Sequence, residues 1–285
     1  MKIPKGGVAV FDSGIGGMTV FNACKKQLPN TLFYYYGDNR NAPYGNRSAK
    51  EIYRLTKKAF NKFKRLKVKA AVIACNTVTT ICIDKLRKKY SFPIIGTEPA
   101  VLSAAKKGGR VFVLTTKATF ESDRFQKLCA YAREQYPQAE VMPFYCSGLA
   151  GEIERCLPCL NYDFTKWLPR GKPTIVVLGC THYIYIEEVI RQYYSCEVVH
   201  GNAGVVNRLL SILTLNEKAV FLKKDAGIRD RQPHLTTQNK KCKVLNKCSR
   251  NNALKTYENS ETNNVVFLGK DGKNNEIRYK QLFLG

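Results

Sequence analysis

The sequence predicts an α/β fold of parallel sheets covered by helices, built as two similar units with a functional cleft between them. Three observations predict it. Short apolar, β-branched runs alternate with longer Lys-rich amphipathic stretches, the pattern of buried parallel strands joined by helices over both faces. Two segments, KAAVIACNTVTT around Cys75 and PTIVVLGCTHYI around Cys180, read as copies of one unit, each running a buried strand into a cysteine followed by small or polar residues. The residues after most strands are also small and polar, and ligands of open parallel sheets sit beyond the carboxyl ends of the strands.

Taken in order, strands are expected at 7–11, 32–36, 69–74, 94–96, 110–114, 140–143, 174–178 and 197–200. Their following residues read Asp12-Ser13-Gly14-Ile15-Gly16-Gly17, Gly37-Asp38 with Pro43-Tyr44-Gly45, Cys75-Asn76-Thr77, Thr115 to Thr119, Gly179-Cys180-Thr181-His182, and Gly201-Asn202. Between strands, 48–66 is the clearest helix: Ile52, Leu55, Ala59, Phe60 and Phe63 form its apolar stripe, and the lysines its solvated face. A seam near Glu98-Pro99 and another near 203–206 divide the chain into a first domain of 1–98 plus 206–285 and a second of 99–205. The stretch 218–255 holds eleven Lys or Arg and two Asp, with many Asn, Gln and Thr, and reads as a weakly structured basic insertion. A final strand and helix around 265–284 are expected to resume the fold.

The 285 residues are 44% hydrophobic, enough for a substantial core, which excludes disordered and fibrous classes. Forty-seven Lys and Arg against 22 Asp and Glu give a formal charge of +25, an attraction for anions that names no function by itself. Eleven scattered cysteines, an odd number, read as reduced thiols in a cytoplasmic protein rather than a disulfide framework. The apolar stretch at the N-terminus is too short for a signal sequence, and no run approaches the length of a membrane span.

Several motifs are set aside. DSGIGG lacks the third glycine of G-x-G-x-x-G, because position 19 is Thr, so its glycines are better used to bring backbone N–H groups at a helix start close to a carboxylate or phosphate. His182, His200 and His234 are far apart in sequence, and no metal site is expected. Cys156-Leu157-Pro158-Cys159 is the one C-x-x-C; Cys242 and Cys248 complete no second one, and a structural role is expected. Cys75 and Cys180 differ from the other cysteines. Each is expected at a helix N-terminus, an environment that lowers a thiol pKa from about 8.5 toward neutrality. A matched pair facing one cleft fits chemistry symmetrical about its substrate, one group removing a proton from one face and the other delivering a proton to the opposite face.

VFDSGIGGMTV, YYYGDNRNAPYGNRS, VIACNTVTT, GTEPAV, TTKAT and VLGCTHY occur in an order and at intervals by which the chain resembles the glutamate racemases of the aspartate/glutamate racemase superfamily. The resemblance runs from residue 7 to about 205. It implies two flavodoxin-like domains enclosing glutamate, and interconversion of its L and D forms for peptidoglycan without pyridoxal phosphate, any other cofactor or a metal. Carried over, it implies that Cys75 acts on the α-proton of D-glutamate and Cys180 on that of L-glutamate, with Asp12 assisting the first thiol, His182 the second, and Glu154 as a further acidic helper. Substrate contacts would come from Ser13, Pro43, Tyr44, Gly45, Asn76, Thr77, Thr119 and Thr181. A homodimer with no membrane association is the expected assembly. Two alternatives stand beside this reading: a racemase for aspartate or another amino acid, and a basic nucleic-acid-binding protein on the same fold, motivated by the net charge and by 218–255.

Overall fold

The computed structural model describes residues 5–225, 255–256 and 264–268. The chain alternates strand and helix. A first run comprises β1 (Val8–Asp12), α1 (Met18–Gln27), β2 (Phe33–Gly37), α2 (Ala49–Arg65), β3 (Ala70–Ile73), α3 (Asn76–Lys89) and β4 (Ile94–Gly96). A second comprises α4 (Val101–Ala105), β5 (Gly109–Thr115), α5 (Lys117–Phe120), α6 (Asp123–Gln135), β6 (Ala139–Tyr145), α7 (Leu149–Cys156), β7 (Ile175–Gly179), α8 (Glu187–Tyr194) and β8 (Glu197–His200). α9 (Asn202–Asp225), β9 (Lys255–Thr256) and β10 (Val265–Leu268) follow. The first eight strands lie within two residues of their expected ends.

The strands form two sheets, ordered β4-β3-β1-β2-β10-β9 and β6-β5-β7-β8. Every pairing is parallel except that of β9 with β10. Removing β9 and β10 from the first sheet leaves β2-β1-β3-β4 against β6-β5-β7-β8, one topology used twice, in the 2-1-3-4 order of flavodoxin-like sheets. The twin cysteine segments occupy the same place in each copy, after β3 and after β7.

Local sequence explains the elements. Ser48 caps α2, its hydroxyl accepting the Glu51 N–H at 3.3 Å, and the stripe from Ile52 to Phe63 is buried against Ala9, Phe11 and Tyr34. The central strands are buried on both faces, as their unbroken apolar runs require. One hydrophobic cluster runs through both halves, joining Val10, Phe21 and Tyr35 to Phe112, Leu114 and Leu178 by way of Ile15, Met18, Tyr183 and Ile186. The two sheets are therefore packed through the β1–α1 loop.

One expectation needs correction. The segment 218–255 does not begin as irregular chain: α9 continues to Asp225, because no Gly or Pro interrupts the sequence between Gly204 and Gly227, and Lys255 starts β9. The remainder of that segment, with His234, Cys242 and Cys248, lies outside the described residues, as does the helix expected before residue 284. The final strand expected at 265 is β10, which pairs with β2. α9 packs on α1, β3 and β4, beside the first sheet. No helix among the described residues is long and apolar enough to cross a membrane.

Candidate active site

Asp12 is the last residue of β1, and Cys75 follows the adjacent β3 at the same edge of the sheet, as the N-cap of α3. Ser13 Oγ lies 3.4 Å from Cys75 Sγ. Asp12 Oδ1 accepts the Gly14 N–H at 2.9 Å, and Oδ2 accepts the Thr181 hydroxyl at 3.3 Å from the other sheet. The carboxyl has no exposed surface, and burial pushes its pKa up to about 6, against the opposing effect of the nearby His182 charge. Burial and then the Asp12 charge push the Cys75 thiol up to about 12. Cys75 is therefore a thiol at neutral pH, with the Asp12 carboxylate nearby.

Cys180 stands at the equivalent tip of β7, as the N-cap of a 3-10 turn, Thr181–Ile186. His182 Nδ1 lies 3.7 Å from Cys180 Sγ, and His182 Nε2 pairs with Glu154 Oε2 on α7. The Ile15 N–H donates to the same Glu154 oxygen at 3.2 Å. Burial alone disfavours a charged imidazole, but the hydrogen bonds to Cys180 and Glu154 outweigh it and hold the His182 pKa well above its ordinary value. The imidazolium then donates from Nδ1 toward the Cys180 sulfur and from Nε2 to the Glu154 carboxylate.

Both cysteines face one narrow cleft lined by Ser13, Pro43, Tyr44, Gly45, Asn76, Thr77, Thr181 and His182, together with Thr116 and Ala150. The cleft is narrow, with an interior volume of about 10 Å³. Asn76 is buried and its Oδ1 has no hydrogen-bond partner among the described residues. Asp12 and Glu154 sit behind the thiols. Thr119 also stands one step back, its hydroxyl 3.2 Å from that of Thr77 and 3.1 Å from that of Thr116. Tyr44 is held by its hydroxyl, which donates to Asp38 Oδ2 at 2.6 Å.

Thr116 and Ala150 were not singled out from the sequence. Thr116 sits in the TTKAT stretch, and its place after a strand was the available signal; Ala150 is an ordinary helix residue with none.

Three sequence expectations change here. The Cys75 thiol is raised and not lowered, because complete burial beside a carboxylate outweighs the helix N-terminus. Cys180 opens a 3-10 turn and not an α-helix. The N–H groups of the glycine loop do reach carboxylates, but those of Asp12 and Glu154, which belong to the protein itself. Among the described residues no three His, Cys, Asp or Glu side chains converge as a metal-binding group. A larger cavity of about 570 Å³ lies at Tyr90, Arg124 and Arg208, away from both cysteines, and borders none of the candidate residues.

Comparison with known proteins gives the family. A family model described as Asp/Glu/Hydantoin racemase matches residues 18–209. A glutamate racemase from Clostridium botulinum (strain Kyoto / Type A2) is 37% identical over 216 residues, 73% of this chain and 80% of that protein. The crystal structure of Escherichia coli glutamate racemase, in complex with L-glutamate and the activator UDP-MurNAc-Ala, is similar with a TM-score of 0.67 at 28% identity, over 74% of this chain and 83% of that one. The Francisella tularensis glutamate racemase, in complex with D-glutamate, is similar with a TM-score of 0.63 at 26% identity, over 75% and 83% of the two chains.

Proposed function

Because the chain belongs to the Asp/Glu/hydantoin racemase family, we propose that it interconverts L- and D-glutamate, with Cys75 and Cys180 acting from opposite sides of the α-carbon. One observation carries this reading: two thiols at equivalent strand tips face a single narrow cleft, with the Asp12 carboxyl near Cys75 and the His182 imidazole against Cys180.

In the L-to-D direction the Cys180 thiolate, paired with the His182 imidazolium, takes the α-proton, and an S–H bond forms as the C–H bond breaks. The Cys75 thiol gives its proton to the opposite face of the planar carbanion. Turnover leaves Cys180 protonated and Cys75 ionised, and the reverse reaction starts from that state. The thiols are reset when Cys180 loses its proton to solvent, the His182 imidazolium again facing the sulfur, and Cys75 regains a proton from solvent, for which Asp12 is placed as a relay. The orphan Asn76 Oδ1 is an acceptor suited to the substrate ammonium, since an unpaired buried acceptor costs about 1–3 kcal/mol that a donor recovers. The hydroxyls of Ser13, Thr77 and Thr181 supply donors for carboxylate oxygens and for charge developing on the α-carboxylate. No step requires a cofactor or a metal ion.

The domain division at residue 98 and near 206 supplies the hinge on which the halves part. Glutamate is favoured over aspartate by the similarity to glutamate racemases and by GDN, APYG and GCTHY in this chain. Incubation with L-glutamate and, in parallel, L-aspartate tests the assignment by optical rotation. Loss of rotation is expected for glutamate, and rapid turnover of aspartate alone overturns it.

A further inference from the structure

We propose that Tyr185 is a positioning residue for the Cys180 half of the site, acting through the backbone of Ile15. The inference rests on the two-thiol reading above. Tyr185 lies three residues after His182 in the same 3-10 turn, and in such a turn residues three apart eclipse one another on one face. Both side chains accordingly meet the β1–α1 loop of the other half. The Tyr185 hydroxyl donates to the Ile15 carbonyl at 3.2 Å, and the Ile15 N–H donates to Glu154 Oε2 at 3.2 Å. That same Glu154 oxygen holds His182 Nε2, whose Nδ1 faces Cys180 Sγ.

The path from Tyr185 to the reacting sulfur therefore crosses between the halves and back. Its geometry depends on close approach: a Cβ at Gly14 would stand 2.7 Å from Glu154 Oε2, and one at Gly16 would stand 2.7 Å from His182 Nδ1. The loop is clamped from both sides, because Tyr35 of the first sheet donates to the Gly14 carbonyl at 3.0 Å while Tyr185 of the other half takes the carbonyl of Ile15. Ile15 itself is buried in the shared core. Tyr185 thus fixes where the Ile15 N–H meets Glu154 when the cleft is shut, and with it how Glu154 holds the imidazole against Cys180. On the Cys75 side, Asp12 is held by the Gly14 N–H and the Thr181 hydroxyl.

The test uses Tyr185→Phe in the full chain, which removes only the hydroxyl. At equilibrium constant one, kcat/KM must fall equally in both directions, so the diagnostic is the primary isotope effect with α-deuterated L- and D-glutamate. The loss of one hydrogen bond is expected to lower kcat about 3–10-fold. It is also expected to raise the isotope effect with L-glutamate, where Cys180 removes the proton, and lower it with D-glutamate, where Cys75 does. A variant whose two isotope effects match wild type, whatever its melting temperature, overturns the proposal. Failure of the wild-type protein to racemise glutamate would instead sink the functional reading on which it stands.

Discussion

Asp12 is held by the fold in a form that disfavours its own charge. Its pKa rises from 3.8 in the unfolded chain to about 6, so its contribution to stability is complete below 3.8 and is lost as pH rises through about 6. Asp12→Asn should therefore raise stability at pH 7 by up to about 3 kcal/mol, a gain that vanishes near pH 4, measured by urea unfolding at the two pH values. The same change should slow racemisation by about 10²–10⁴-fold, because Cys75 then has no carboxylate to relay its proton. In wild type that carboxylate is protonated below pH 6, so the rate should fall as pH drops through this value. Cys75→Ala and Cys180→Ala should each abolish racemisation, since each face needs its own group, and near-normal rates from either variant would refute the pairing. Cys75 and Cys180 were legible in the sequence because each follows a strand in a matching frame, whereas the role of Asp12 was implied by the resemblance. The pKa of Cys75 was not legible: its direction depends on complete burial beside Asp12, a contact between distant parts of the chain.

At the scale of elements, the strands were readable because buried parallel strands are unbroken β-branched runs, and α2 because Ser48 and its apolar stripe mark both its start and its inward face. The 3-10 turn after Cys180 was not readable, because nothing in THYIYI distinguishes a tight turn from the first turn of an α-helix. Of the segments that follow the strands, the β1–α1 loop, residues 13–17, approaches the other half most closely at Gly16. A Cβ at Gly16 would stand 2.6 Å from Thr181 Oγ1 and 2.7 Å from His182 Nδ1. Gly16→Ala should hold the halves apart and reduce kcat by at least about 10-fold, at an overpacking cost of about 1–3 kcal/mol in the closed form. Steady-state kinetics beside a thermal melt checks this; an unchanged kcat would show that closure does not depend on the loop.

For the whole molecule, the two sheets repeat one topology and share a hydrophobic cluster, yet close on a narrow cleft. If the halves part to admit substrate, as proposed above, each turnover includes an opening and a closing. The basic segment 218–255 begins within α9 and ends at the start of β9, so a deletion limited to 226–254 retains both elements. Glutamate turnover should survive it, while any affinity of the chain for duplex DNA should fall and show a shallower dependence on salt, measured by titration at several ionic strengths. Loss of racemisation in a folded deletion variant would place the segment within the catalytic unit. The central claim, proton exchange at one carbon through two thiols, is tested most directly by incubating the purified protein with L-glutamate in D₂O and following optical rotation together with deuterium at the α-carbon. The account predicts loss of rotation to zero with solvent deuterium entering the D-glutamate formed, and neither change in Cys75→Ala or Cys180→Ala. Racemisation without deuterium uptake, or at an undiminished rate in either variant, would contradict it.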